Sequence, residues 1–161
     1  MNKTLITFFT FLFCLTSSVG WSADFQKGLT AAQKGDFATA LREWIPLAEQ
    51  GNAVAQFNLG IMYDNGRGVL QNYKTAAKWY RLSAEQGFAI AQYNLGLMYA
   101  KGQGVIQDNV IAHMWSNIGA SNGNKNAVKV RDIVVKEMTS ADISTAQKLA
   151  RECVEKKYKG C

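Results

Sequence analysis

The chain has 161 residues, 48% of them hydrophobic, which suits one modest domain with its own core. Its formal net charge is +6, and most of the excess lies in residues 123–161, which carry 9 basic and 5 acidic residues. No motif of interleaved aromatic and basic residues accompanies this charge, so the composition argues against a nucleic-acid partner. It favours a solvated lysine face over contact with a membrane or an acidic protein.

Residues 1–23 have the layout of a secretory signal peptide, with a lone Lys3, the apolar run "LITFFTFLFCL" and the small-residue stretch "TSSVGWSA". The apolar run is too short to span a bilayer comfortably, which favours a cleaved signal over a membrane anchor. Bulky residues precede Cys14 and disfavour lipid attachment there. We expect cleavage after Gly20 or Ala23, no integral membrane segment afterwards, and a periplasmic or, as the alternative, extracellular protein.

Residues 24–50 are predicted to form a degenerate helical hairpin that caps the amino end of the fold. Only their second helix matches the units that follow, and they turn at "KGD" instead of a longer loop. Terminal units of stacked repeats are often atypical because they close the stack. Pro46 falls inside the second helix and is expected to kink or loosen its last turn.

Residues 51–86 and 87–122 form two repeats, with identity at 16 of 36 positions and no gap. A fixed period of this length predicts stacked helical hairpins. Three polar residues at the same interval are expected to cap helices, and three glycines at that interval are expected to end them. They are Asp36, Asn72 and Asp108 for the caps, and Gly51, Gly87 and Gly123 for the ends.

The first helix of each repeat is apolar on two sides. In residues 51–86, Leu59 lies on one side, whereas Phe57 and Ile61 lie on nearly the opposite one. This pattern predicts a helix sandwiched between neighbours. The second helix is amphipathic in the first repeat, but residues 87–122 carry Met114 at the position of a lysine, so we expect a following helix to cover this side.

Residues 123–161 are predicted to form the helices that close the far end of the stack. Residues 124–138 have helical apolar spacing, and "TSAD" at 139–142 matches a capping box that opens a last helix. Cys153 and Cys161 remain after signal cleavage and are expected to form a disulfide, the alternative being two free thiols. The whole is predicted to be an all-α fold, a right-handed α/α solenoid of seven or so helices.

The repeated pattern Ala-x-x-x-Leu-Gly-x-x-Tyr-x-x-Gly-x-Gly-Val, followed by Ala-x-x-Trp, resembles the Sel-1-like repeat, a relative of the tetratricopeptide repeat. The residues that carry the resemblance are Ala55, Leu59, Gly60, Tyr63, Gly66, Gly68, Ala76 and Trp79, and then Ala91, Leu95, Gly96, Tyr99, Gly102, Gly104, Ala112 and Trp115. The tail resembles the carboxyl-terminal cap of small exported bacterial members.

The resemblance implies binding without chemistry, on a superhelix whose concave surface and ends hold proteins or peptides. A cysteine-rich branch of the family, associated with penicillin binding and β-lactam hydrolysis, supplies a rival hypothesis. Its helix-pair cysteines are absent from residues 24–152. A third hypothesis is an envelope assembly factor that self-associates through an apolar second-helix surface formed by Val110, Met114 and Ile118.

No reactive constellation is found in the sequence. Ser-x-x-Lys, Lys-Thr-Gly and His-Glu-x-x-His are absent, and the single histidine, His113, cannot build a multi-histidine zinc site. The glycines of Gly66-Arg67-Gly68 follow a helix, not a strand, so they predict a turn and not a phosphate loop. We therefore predict no catalytic, cofactor-binding or metal-binding residue.

The candidate binding residues are two asparagines and two methionines on the first helices. Asn58 and Asn94 are identical in both repeats and polar on otherwise apolar helices. They either hydrogen-bond across the stack or project into a groove and bind a peptide backbone. Met62 and Met98 would border that groove or pack in the core. The expected function is an exported, non-catalytic scaffold for a protein or peptide partner.

Overall fold

The structure is a computed structural model that describes residues 23–161, so the predicted signal peptide, apart from Ala23, lies outside the described residues. This part of the chain forms eight α-helices and one 3-10 helix, with no strand, and it contains no helix long and apolar enough to cross a membrane. The elements are α1 (Phe25–Gln33), α2 (Phe37–Glu49), α3 (Ala53–Asn65), α4 (Tyr73–Ala84), α5 (Ala89–Lys101), α6 (Asn109–Ser121), α7 (Lys125–Val134), the 3-10 helix (Val135–Glu137) and α8 (Ser140–Glu155).

The helices pack as successive hairpins, α1 with α2, α3 with α4, and α5 with α6. Helix α2 also contacts α3, α4 contacts α5, and α6 contacts both α7 and α8. The prediction of an all-α solenoid of helical hairpins is therefore confirmed. Helix α2 continues beyond Pro46, and the Gln50 backbone N–H donates to the Pro46 carbonyl at 3.1 Å, so its last turn is not loosened.

The predicted helix caps are present. Asp36, Asn72 and Asp108 each accept a hydrogen bond from the backbone N–H three residues later, at 3.1, 2.9 and 3.0 Å. Thr139 and Asp142 form the predicted capping box, in which each side chain accepts from the other residue's backbone N–H. These bonds satisfy amides that a helix start leaves without an intrahelical partner.

The Gly-x-Gly loops are turns that join the two helices of each repeat. Gly66 and Gly102 end α3 and α5 with φ of 65° and 67°, in the left-handed region that glycine adopts without steric cost. The second glycine of each loop packs against the preceding hairpin. A Cβ atom on Gly104 would lie 2.2 Å from the carbonyl carbon of Tyr73, at the start of α4.

The first hairpin matches the two repeats in both of its helices, not only in the second as the sequence pattern suggested. Each of the three hairpins has a glycine in its first helix that a side chain of its second helix covers. The pairs are Gly28 with Trp44, Gly60 with Tyr80 and Gly96 with Ser116, and a Cβ atom on any of these glycines would lie 2.5 to 2.6 Å from its partner. The correspondence is hidden in the sequence because residues 34–36 join the first pair of helices, whereas residues 66–72 join the second pair.

Most repeat-defining residues lie in two hydrophobic cores that run between the hairpins. Those with no solvent exposure are Ala55, Leu59, Ala76, Ala91, Leu95, Ala112 and Trp115, while Trp79, Tyr63 and Tyr99 are partly buried. Met114 and Ile118 are only 2% exposed and share one core with Ala150 and Cys153 of α8. The prediction that a following helix covers the apolar side of α6 is confirmed, since α8 lies over it. The hypothesis that Met114 and Ile118 form an exposed self-association surface is wrong, because both are buried.

The carboxyl-terminal tail folds back onto the last helices. Cys153 and Cys161 form the predicted disulfide, with their Cα atoms 5.6 Å apart. Between them, Lys157 and Tyr158 have φ of 52° and 66°, a conformation that is unfavourable for residues with a side chain. The Tyr158 backbone N–H donates to the Cys153 carbonyl at 2.8 Å, which together with the disulfide holds the turn.

Candidate functional site

The first helices of the two repeats present a polar and aliphatic stripe on the side turned away from their second helices. We call it the first-helix surface. Its members, spaced by four, three and four residues, are Val54, Asn58, Ile61 and Asn65 on α3, and Ile90, Asn94, Leu97 and Lys101 on α5. This spacing places them on one side of each helix, and all of them are exposed or half-buried. Val54 and Ile90 are 38% and 46% exposed.

The four predicted groove residues have different environments. Asn58 is half-buried and makes no side-chain hydrogen bond to another residue of 23–161, so its amide is available to a ligand. Asn94 is also half-buried, but its amide hydrogen-bonds to the Tyr80 phenol across the stack. Met62 and Met98 are 2% and 3% exposed and pack in the cores, and Met62 also lines a cavity beside Asn58.

A polar cluster occupies the junction between α3 and α5. The buried Tyr80 hydroxyl donates to the Asp64 carboxylate at 3.3 Å, and Asn94 hydrogen-bonds to the same phenol. Burial, followed by the negative charge of Asp64, raises the pKa of Tyr80, whereas the Asn94 bond acts in the opposite direction. The phenol therefore stays protonated and acts as a hydrogen-bond donor that holds Asp64 in place.

A cavity of about 160 Å³ opens between the first hairpin, α1 and α2, and α3, and we call it the N-side cavity. Its wall is mostly apolar, and Asn58 and Arg67 are its polar members. The Arg67 side chain forms no hydrogen bond or ion pair with the rest of the described chain. The lining residues are Ala32, Phe37, Trp44, Asn58, Ile61, Met62 and Arg67.

A second cavity, of about 210 Å³, opens between α5 and α7, and we call it the C-side cavity. Ile133 on its wall is 60% exposed, and Lys101 makes no ion pair with another described residue. Glu137 accepts a hydrogen bond from the Asn109 amide at 3.2 Å. The lining residues are Leu97, Ala100, Lys101, Gln107, Asn109, Val130, Ile133, Val134 and Glu137.

A buried ladder of amides, which the sequence reasoning missed, ties successive units together. The Gln56 amide donates to the Ala48 carbonyl at 2.9 Å, and Gln86 donates to the Gln56 side chain at 2.7 Å. Gln92 repeats the first of these bonds one period later, with the Ala84 carbonyl as acceptor at 3.1 Å. The sequence carried a signal for this ladder, because glutamine occurs at the same position of both repeats, as Gln56 and Gln92. A buried amide that recurs at a fixed interval needs a hydrogen-bond partner that recurs with it.

His113 lies on α6, away from the first-helix surface, and is 3% exposed. Its Nδ1 atom has no hydrogen-bond partner among the described residues. Burial lowers the pKa of His113, the positive charge of Arg131 lowers it further, and Asp132 acts in the opposite direction. In residues 23–161 no group of three or more histidine, cysteine, aspartate or glutamate side chains is placed to hold a metal ion.

The free energy of unfolding is expected to fall as the pH is lowered from about 6.5, the ordinary histidine pKa, to about 5. Below that pKa the unfolded chain takes up a proton that folded His113 does not, so stability is lost with a slope of up to about 1.4 kcal/mol per pH unit. Urea unfolding of wild type and His113→Gln across this range checks the prediction. A variant that keeps the full slope would contradict it, because carboxylates with lowered pKa, such as Asp142, act only at lower pH.

Comparisons with known proteins place this geometry among related folds. The family model described as Sel1 repeat matches residues 53–88 and 89–124. The chain is similar to a protective antigen of uropathogenic Escherichia coli strains that displays an SLR fold, with 30% identity and a TM-score of 0.76 over 81% of this chain and 30% of that chain. It is also similar to a Sel1 repeat protein from Oxalobacter formigenes, with 37% identity and a TM-score of 0.62 over 67% of this chain and 84% of that one. No curated protein matches.

Proposed function

The chain belongs to the Sel1 repeat family, whose members are generally non-catalytic scaffolds for protein interaction, and from this premise we propose that it binds a protein or peptide partner on the first-helix surface. The proposal includes no catalytic step. It also includes export, with the periplasm as the place of action. The signal-like composition of residues 1–23 and the Cys153–Cys161 disulfide support this location, because disulfides persist in oxidising compartments.

The observation that carries the proposal is the repeated mixture of amide and aliphatic side chains on that surface. Asn58 offers both a donor and acceptors, which suits the backbone of a peptide. Ile61 and Leu97, one period apart, add half-buried aliphatic area on either side of the polar cluster. The helices that carry these side chains are already packed, so little conformational entropy is lost from the scaffold when a partner binds.

An arginine on the first-helix surface is expected to block partner binding. Asn58→Arg places a long charged side chain where the free amide stands, and no existing side-chain hydrogen bond is lost. Affinity capture from the cell envelope, with quantitative mass spectrometry, should show at least about a tenfold loss of the partners that wild type retrieves, as for a change at the centre of an interface.

The matched control is Leu70→Arg, which adds the same side chain to an interhelical loop at a position that is 92% exposed. This control is expected to retrieve the wild-type partners in wild-type amounts. If Asn58→Arg also retrieves them undiminished while melting like wild type, the first-helix surface is not the binding site.

A further inference from the structure

We propose that the N-side and C-side cavities hold two aliphatic side chains of one extended peptide segment, about six residues apart, each beside an acidic residue. This inference rests on the proposed function, since it specifies the chemistry of the partner that the first-helix surface selects. Three observations carry it: the equivalent positions of the two cavities, the polar cluster between them, and the unpaired cation at each. The general spacing of stacked helices then sets the distance between the two side chains.

The two cavities occupy equivalent positions in the stack and share an apolar part of their lining. Asn58, Ile61 and Met62 line the N-side cavity, and Val130, Ile133 and Val134 line the C-side cavity at positions 72 residues later, which is two repeat periods.

The opposite wall corresponds as well. Ala32 and Ala100 each stand four residues after the packed glycine of their first helix, Gly28 and Gly96. The small alanine leaves space beside a mostly apolar wall at both ends of the stack, and such a space suits an aliphatic side chain from a partner.

The junction between these cavities has the opposite chemistry. Asp64 stands four residues after Gly60, at the position that alanine takes in the other two hairpins. Its carboxylate, the Tyr80 hydroxyl and the Asn94 amide occupy this place. An aliphatic side chain inserted here would desolvate the carboxylate without replacing its hydrogen bonds, which is costly. Along the stack, the first-helix surface is therefore apolar at the N-side cavity, polar at the junction between α3 and α5, and apolar again at the C-side cavity.

The separation of the cavities sets the spacing of the two side chains. Helices of neighbouring units in a stacked array lie on the order of 10 Å apart, so cavities two units apart are roughly 20 Å apart. An extended chain rises about 3.3 Å per residue, which corresponds to about six residues. Successive side chains of an extended chain point to opposite faces, so two side chains on the same face are separated by an even number of residues. Positions i and i+6 fit both this condition and the distance between the cavities.

The charge beside each cavity favours an acidic flank. Arg67 lines the N-side cavity and Lys101 lines the C-side cavity, and neither forms an ion pair with another residue of 23–161. Glu137, the acidic member of the C-side wall, is bonded to Asn109. A carboxylate next to each aliphatic side chain would pair with a cation that the described fold leaves unpaired.

The test uses a synthetic fluorescent peptide, Gly-Asp-Leu-Ser-Gln-Ser-Gln-Asp-Leu-Ser, whose leucines stand at i and i+6. A peptide of identical composition with the leucines at i and i+3 is the comparator. Fluorescence anisotropy with the full mature chain should give about tenfold tighter binding of the i+6 peptide, because only this spacing fills both cavities from one chain. Equal affinity for the two peptides, or no binding of either, overturns the proposal.

A variant of the protein tests whether the C-side cavity holds one of the two leucines. Ala100→Asp copies the residue that the middle junction already holds and should weaken binding of the i+6 peptide about tenfold, to the level of a single-leucine peptide. Gln147→Asp adds the same charge on exposed α8 and should leave binding unchanged. A loss with both variants, or with neither, overturns the assignment of the C-side cavity.

The outcome is separable from that of the proposed function. If Asn58→Arg abolishes capture of the native partner while the two peptides bind equally, the first-helix surface is the binding site and the two-cavity spacing is wrong. If Asn58→Arg captures the partner normally, the proposed function itself fails.

Discussion

Gly104→Ala is expected to lower the free energy of unfolding by about 3 kcal/mol. At φ of 70° an alanine is in the left-handed conformation, which costs about 1–2 kcal/mol for a residue with a side chain. The added Cβ would also lie 2.2 Å from the carbonyl carbon and oxygen of Tyr73 and 2.6 Å from the Lys74 backbone nitrogen. Backbone atoms at the start of a packed helix cannot rotate away as a side-chain tip can, so the loop must move off α4, at an overpacking cost of about 1–3 kcal/mol.

The matched control for this change is Gly35→Ala. Gly35 has φ of 79°, but a Cβ atom there would meet nothing within 4 Å, so only the conformational cost of about 1 kcal/mol applies. Urea unfolding followed by far-UV circular dichroism gives both values. Equal losses for the two variants would mean that contact with the preceding hairpin contributes nothing, and the loop would not lock neighbouring units.

Loss of the Cys153–Cys161 disulfide is expected to lower the free energy of unfolding by about 2–3 kcal/mol. The bond closes a loop with a sequence separation of 8 and so limits the conformations of the unfolded chain. In the folded chain it helps to hold Lys157 and Tyr158 at positive φ. A Cβ atom on Gly87 would lie 3.1 Å from the Tyr158 ring, and the Tyr158 hydroxyl hydrogen-bonds to Asn122, so the closed tail connects α8 to the second repeat.

Urea unfolding of wild type with and without a dithiol reductant, beside Cys153→Ser/Cys161→Ser, measures this effect. Reduced wild type and the double variant should have the same lowered stability, and reductant should not change the variant further. Labelling of denatured, unreduced protein with a thiol reagent should detect no free thiol in the mature chain. Two labelled thiols, or a wild type that reductant does not destabilise, would refute the role of the bond.

The repeat pattern predicted much of the fold because its signals are short-range. A cap such as Asn72 bonds an amide three residues away, and Gly102 ends a helix through its own φ, so both can be read without knowing the tertiary contacts. The equivalence of Ala32, Asp64 and Ala100 could not be read in this way. The turn between α1 and α2 is four residues shorter than the turns of the two repeats. Residues of α1 therefore do not stand 36 positions before their structural equivalents in α3.

The candidate site was predicted only in part for a related reason. The pattern identified Asn58 and Asn94 as unusual, but both interpretations, a bond across the stack and exposure to a ligand, were open. In the structure Asn94 meets the Tyr80 hydroxyl, which is the bond across the stack, whereas the side chain of Asn58 faces the N-side cavity without a bond to the described chain. The difference depends on residues far away in sequence, and neither asparagine's immediate neighbours reveal it.

The sequence by itself determined the helices, their caps, the glycine turns and the family, because each depends on interactions within a few residues or on identity between units. The tertiary structure alone decided which apolar side of each first helix is buried and which remains on the first-helix surface. It also decided that Met114 and Ile118 lie under α8. The physical reason is that the hydrophobic effect has no direction, so it favours every packing that removes apolar area from water. Which packing forms depends on the helices that the whole chain brings next to one another.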